Sequence, residues 1–180
     1  MSTYHHGNLR TALLRAAGKR LEKQGIATLS LREAARRVGV SHNAPYRHFA
    51  DREALLAALA AQGFDMLGQA MRGQTGRAMG EAYVRFALQH PQRFRLMFGG
   101  QIALEKYPRL RDAASSAFDQ LQSAFSEYGG DARSAAAAAW SLVHGLSHLL
   151  LDGHFAQRGE EFVKQVLGVV RFAVGPQRSA

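Results

Sequence analysis

Leu9, Leu13, Ala16, Ala17 and Leu21 recur at three- and four-residue spacing, the period that gathers apolar side chains on one face of an α-helix. Gly25 follows where such a helix would stop in a left-handed cap, so a first helix of four to five turns is expected. Ser30, Leu31, Arg32 and Glu33 then have the form of a capping box, in which the hydroxyl takes one orphan amide and the carboxylate reaches back for another. A short second helix is expected from about Leu31, burying Leu31, Ala34, Ala35 and Val38. It meets Gly39, Val40 and Ser41: a residue that tolerates left-handed backbone, an apolar plug and a new cap. A third helix is expected from there to about Phe49, and Asp51 caps a fourth carrying Leu55, Leu56 and Leu59. Two short helices joined by a tight glycine turn form a helix-turn-helix, whose second helix is shaped to enter the DNA major groove.

Beyond residue 75 the breaks fall at His90-Pro91, Gly99-Gly100, Tyr107-Pro108, Gly129-Gly130 and Gly175-Pro176. Pro91 and Pro108 suit first helical positions and Asp131 is a good cap. About five helices, two of them long, fill this part, and the alanine run at 135–139 reads as a tightly packing helix face. No alternating strand pattern bounded by hairpin turns occurs. The expectation is an all-α chain of about nine helices, with a DNA-binding helix-turn-helix domain at 1–52 and a larger helical domain at 53–180.

Composition sharpens this picture. The 180 residues are 47% hydrophobic with no cysteine, which excludes disulfides, thiolate metal sites and cysteine nucleophiles and fits a reducing compartment. No signal-peptide run opens the sequence and no stretch approaches ~20 uninterrupted apolar residues, the length of a membrane span; a cytoplasmic protein with no membrane partner is expected. The net charge is +9, and residues 1–52 hold ten Lys/Arg against three Asp/Glu. A charge run is ordinarily a solvated face, and basic surfaces meet anionic lipid as well as nucleic acid. The helix-turn-helix favours nucleic acid.

The stretch LREAARRVGVSHNAPYRHFADREALL, Leu31 to Leu56, closely resembles the TetR family of bacterial regulators. Val38-Gly39-Val40-Ser41, Tyr46-Arg47-His48-Phe49, a charged turn and Leu55-Leu56 carry the match, strong over residues 8–60. The resemblance implies three N-terminal helices for DNA, a connecting fourth, and a C-terminal helical domain that dimerises and binds a small effector. Helix N-termini offer free amides to phosphate, and spacing together with the resemblance puts Arg32, Tyr46, His48 and Arg52 at phosphate. Ser41, His42, Asn43, Ala44 and Arg47 stand at the front of the recognition helix, with Asn suited to adenine, Arg to guanine and Ala to a thymine methyl. Tyr46 is alternatively a packing residue, Phe49 belongs to the core, and Arg36 and Arg37 read equally as solvated helix. Pro45 departs from the family's aliphatic residue; it lacks an amide proton, so the recognition helix is expected to survive with a distorted or later start.

Trp140, His144 and Gly145, in AWSLVHGLSHLLLDG, resemble a TetR subgroup marked by those three residues. Trp140 and His144, four apart, share a helix face. Tyr83, Phe86, Phe94, Phe98, Phe118, Trp140 and His144 are expected around an apolar or aromatic small-molecule effector, with Met79, Met97 and Phe125 nearby; the alternative for such residues is plain core. His144 and His148 could hold a metal with His154, but there is no HExxH and no acidic ligand among them, so no metal or cofactor is expected. No nucleophile elbow, P-loop, dinucleotide fingerprint or carboxylate pair suggests an enzyme. Ala135, Ala138, Leu142, Gly145, Leu146 and Leu149 on one helix, with Phe162, Val163, Val166, Leu167, Val170 and Phe172 on the last, suit a four-helix dimer interface. The expectation is a homodimeric, sequence-specific transcription regulator, a repressor, that binds a palindromic operator and is released by its effector. The competing classes are a non-specific or architectural DNA binder and a His-ligated metal-dependent enzyme.

Overall fold

The structure, a computed structural model, describes residues 6–126, 131–155 and 159–169. Among them are eight α-helices and no strand: α1 (His6–Gln24), α2 (Leu31–Val38), α3 (Arg52–Met71), α4 (Gly76–Gln89), α5 (Pro91–Phe98), α6 (Pro108–Ser123), α7 (Ala132–Leu151) and α8 (Glu160–Val169). Three short 3-10 turns join them, at Ile26–Thr28, Ala44–Arg47 and Leu104–Lys106. The chain is all-α, and five helices lie beyond residue 75. The Gly129-Gly130 and Gly175-Pro176 breaks lie outside the described residues.

Most of the sequence's punctuation acts as its chemistry dictates. Ser30 Oγ accepts from the amide of Glu33 at 3.1 Å, and Gly39 closes α2 at φ 75°, ψ 32°, the left-handed conformation that glycine adopts without a Cβ penalty. Asp51 Oδ1 accepts from Ala54 N at 2.8 Å, and Asp131 Oδ1 from Arg133 N at 3.0 Å. Gly25 ends α1 at φ 76° but ψ 175°, so it turns the chain outward instead of forming the expected left-handed cap.

The third helix is the main correction. In place of a helix reaching Phe49 stands the 3-10 turn Ala44–Arg47, preceded by Asn43, whose amide donates to Ser41 Oγ at 3.3 Å. With Ser41 as cap, the first α-helical bond would run from the amide of residue 45 to the Ser41 carbonyl, and Pro45 has no such amide. The chain closes three-residue bonds instead: Ala44 N to Ser41 O at 3.0 Å, Tyr46 N to Asn43 O at 3.3 Å, His48 N to Pro45 O at 2.9 Å. Pro45 is fully buried, so its ring anchors the turn that its missing donor creates.

Two compact units emerge, and they do not follow the 1–52 and 53–180 division. One comprises residues 1–64 and 90–113, the other residues 65–89 and 114–180. In the first, α5 packs on α1, and Arg93 is buried at 7% exposure. Its Nη1 donates to Leu59 O at 3.0 Å and its Nε lies 3.7 Å from Glu22 Oε1. Gly18 and Gly63 make room for this: a Cβ on Gly18 would meet Arg93 Nη2 at 2.7 Å, and one on Gly63 would meet Met97 Sδ at 2.5 Å. Residues 90–113 thus share a core with α1 and α3, a pairing of distant segments that local periodicity does not disclose.

In the second unit, α4 packs on α7 and α8. Gly80 permits the close approach, since a Cβ there would lie 3.2 Å from Val143 Cγ1 and 3.3 Å from Leu167 Cδ1. By length and composition α7 could cross a membrane; here it buries Ala136, Ala139, Val143, Leu146 and Leu150, with Ser147 Oγ returned to Val143 O at 2.7 Å.

Candidate nucleic-acid interface and effector cavity

α2, the glycine turn and the 3-10 turn present one polar edge. Leu31, Ala34 and Ala35 face the core while Arg32, Arg36 and Arg37 are exposed. Glu33 does not complete the capping box. Its carboxylate gathers Arg20 at 2.9 Å, Arg36 at 2.8 Å and Arg37 at 3.2 Å, and these partners, the Arg36 hydrogen bond above all, hold it down at about 2. Ser41, His42, Asn43, Tyr46 and Arg47 are exposed, Tyr46 by 47%, and Ala44 is half-buried. One residue expected at phosphate is held by backbone carbonyls. Arg52 gives Nε to Leu29 O at 2.8 Å and Nη2 to Ile26 O at 2.7 Å, tying the loop ahead of α2 to the start of α3. His48 is half-buried with Nε2 turned inward, buried and without a hydrogen-bond partner.

In the second unit a hydrogen-bonded trio joins α4 to α7. Trp140 Nε1 donates to Tyr83 Oη at 3.0 Å, and Tyr83 Oη lies 2.9 Å from His144 Nδ1. Tyr83 Oη accepts from the indole, and the direction of its bond to His144 Nδ1 is set by the imidazole tautomer, since a phenol oxygen has one proton and two lone pairs. Burial pushes the Tyr83 hydroxyl upward, and burial followed by the neighbouring His148 pushes His144 below its ordinary value. Phe118 packs on Trp140 with ring centres 5.7 Å apart, and His148 on His144 at 4.7 Å. Beside this trio is an apolar cavity of about 100 Å³, walled by Met71, Met79, Leu121, Phe125, Val143 and Leu167, with Tyr83 on its edge.

The family models match both parts of the chain: residues 13–59 match "Bacterial regulatory proteins, tetR family", and residues 76–170 match "Tetracyclin repressor-like, C-terminal domain". The chain belongs to the TetR family. A Rhodococcus sp. RHA1 structure, described as a protein with unknown function, is 36% identical over 93% of this chain and 94% of its own, with a TM-score of 0.79. The TetR regulator PfmR from Thermus thermophilus is 20% identical over 87% and 94%, TM-score 0.62. NalD of Pseudomonas aeruginosa, described as the secondary repressor of the MexAB-OprM multidrug efflux pump, is 20% identical over 90% and 93%, TM-score 0.60. At that identity these two share the fold. No curated protein matches the chain.

As a TetR-family member the chain is a DNA-binding transcription regulator, and its expected site residues divide by unit. Tyr83, Trp140, His144 and Phe118 come together. Phe86 is buried on α4 outside the cavity wall. Phe94 and Phe98 belong to the other unit, their rings tilted against each other at 4.9 Å with Phe98 edge-on to Phe64 at 5.3 Å. Sequence reading passes over Gly76, Arg77, Gly80 and Ala139 as lining residues. A signal exists for one of them: Gly80 sits inside a helix, where glycine costs about 1 kcal/mol relative to alanine and so implies a packing reason. Among the described residues no group of three or more His, Asp or Glu side chains converges as a metal site would.

Proposed function

We propose that this TetR-family chain is a cytoplasmic repressor that binds a palindromic operator as a homodimer and releases it when a small molecule enters the second unit. The exposed edge of Ser41, His42, Asn43, Tyr46 and Arg47 on the glycine-turn motif carries the reading. Asn43 and Arg47 have the donors and acceptors for base edges, and Arg32 and Tyr46 stand where backbone contact is expected. Arg52 acts here by positioning the loop ahead of α2 through Leu29 O and Ile26 O. For the dimer, Ala138, Leu142, Gly145 and Leu149 lie at four-, three- and four-residue spacing along α7, none fully buried, and a Cβ on Gly145 would meet nothing within 4 Å. Such a small-residue stripe suits close pairing with a second copy. Val170 and Phe172, expected to join it, lie outside the described residues. Trp140, His144 and Gly145 support membership of the subgroup they resemble, and the cavity beside Tyr83 supports effector control.

The test is a nuclease footprint of the full-length protein on DNA flanking its own gene. A bounded, two-fold symmetric footprint is expected; uniform coating at every sequence would instead make the protein an architectural DNA binder.

A further inference from the structure

Among the described residues, two polar side chains line the cavity. Tyr83 Oη takes the Trp140 indole proton at 3.0 Å and pairs with His144 Nδ1 at 2.9 Å. Arg77 Nε pairs with Glu81 Oε1 at 3.3 Å. Arg77 is 63% exposed, so solvent already screens its charge, and a charged ligand entering here would leave its hydration for a wall of methionine, leucine and valine carbons. The volume, about 100 Å³, is of the order of the roughly 150 Å³ apolar cavity that accommodates benzene. Tyr83 is both a wall of the cavity and the hydrogen-bond partner of two α7 side chains, so an occupant that displaces the ring must also disturb α7.

Resting on the reading of this cavity as the effector site, we propose that it takes a small, uncharged, apolar molecule and that Tyr83 passes its arrival to α7 through Trp140 and His144. The ligand's polarity is set by exclusion: a wall of apolar side chains discriminates through the desolvation of the wrong ligand.

Trp140 is the chain's single tryptophan, so indole emission reads this contact without a label. Toluene, benzoate and benzylammonium, one ring in three charge states, are titrated into the full-length protein while emission and unfolding midpoint are followed. Toluene is expected to change both saturably, with the two ions at least tenfold weaker. Tyr83→Phe should keep the toluene shift in midpoint and lose most of the emission change. Ala139→Leu, which fills the cavity from α7, should abolish both responses while still unfolding cooperatively; Ala124→Leu fills it from the end of α6 if the first variant does not fold. Equal or tighter binding of either ion, no saturable response to any probe, or a toluene response that survives filling would overturn the proposal. Operator release is measured separately: toluene bound with the operator complex intact counts against the effector reading and leaves the ligand class standing.

Discussion

At the scale of single residues, the two sites make different demands of their side chains. Asn43 and Arg47 are exposed and carry no structural duty comparable to that of Pro45 or Phe49, so their replacement tests recognition with little cost to folding. Either alanine variant is expected to lose about 1 to 3 kcal/mol on the operator, with binding to random DNA nearly unchanged; equal losses on both DNAs, measured by titration, would confine these residues to phosphate. His144 yields a pH dependence. Burial holds its folded pKa below the ordinary 6.5, so the unfolded chain binds the proton more readily, and stability present above about pH 6.5 is lost as pH falls below it. Urea unfolding from pH 8 to 5 should show the midpoint falling on the acid side, and His144→Gln should remove this component. Trp140 and His144 are legible in the sequence as a helix-face pair; Tyr83 as their common partner is not, because it lies 57 residues from one and 61 from the other and no local spacing encodes that approach.

At the scale of elements, caps are readable and hydrogen-bond accounting decides the rest. Ser30, Gly39, Asp51, Pro91, Pro108 and Asp131 act where their chemistry places them, since each satisfies or removes backbone groups at a helix end. Pro45 stands out in the sequence as a departure, but its effect exceeds the distorted or later start expected of it: it deletes the one donor that would close the first turn of the third helix. Pro45→Ala restores that donor and is expected to move the Cα chemical shifts of residues 41–47 toward α-helical values, and to alter operator preference as the exposed edge changes register. Unchanged shifts would mean that packing around Phe49, not the missing amide, holds the 3-10 form. The α1, α3 and α5 cluster gives a second test. Gly63→Ala drives a Cβ to 2.5 Å from Met97 Sδ and 3.1 Å from Arg93 Cγ, and should destabilise by about 1 to 3 kcal/mol in urea unfolding. Met97→Ala in the same chain should recover part of that loss, because the flexible thioether is the atom that must yield; an additive loss would place the strain on Arg93.

At the scale of the whole molecule, fold class and family can be read directly, while the division into units cannot. The basic first third and the punctuation predict an all-α regulator with a DNA-reading N-terminus. The compact units, however, recruit residues 90–113 to the first core, because Arg93 needs the carbonyl of Leu59 and the carboxylate of Glu22, partners that only the folded chain supplies. Folding also assigns basic residues to structural partners: Arg20 is mostly buried against Glu33, and Arg52 donates to the carbonyls of Leu29 and Ile26, so not every basic residue of 1–52 faces a phosphate backbone. The salt dependence of operator binding should accordingly reflect fewer phosphate contacts than the ten basic residues of that segment, each contact contributing close to one unit to the logarithmic slope. The most direct test of the central claim is selection of bound sites from random double-stranded DNA by the full-length protein. A palindrome with half-sites about one helical turn (~34 Å) or a multiple apart is the result this account predicts, whereas no enriched sequence, or an enriched site without two-fold symmetry, would contradict it.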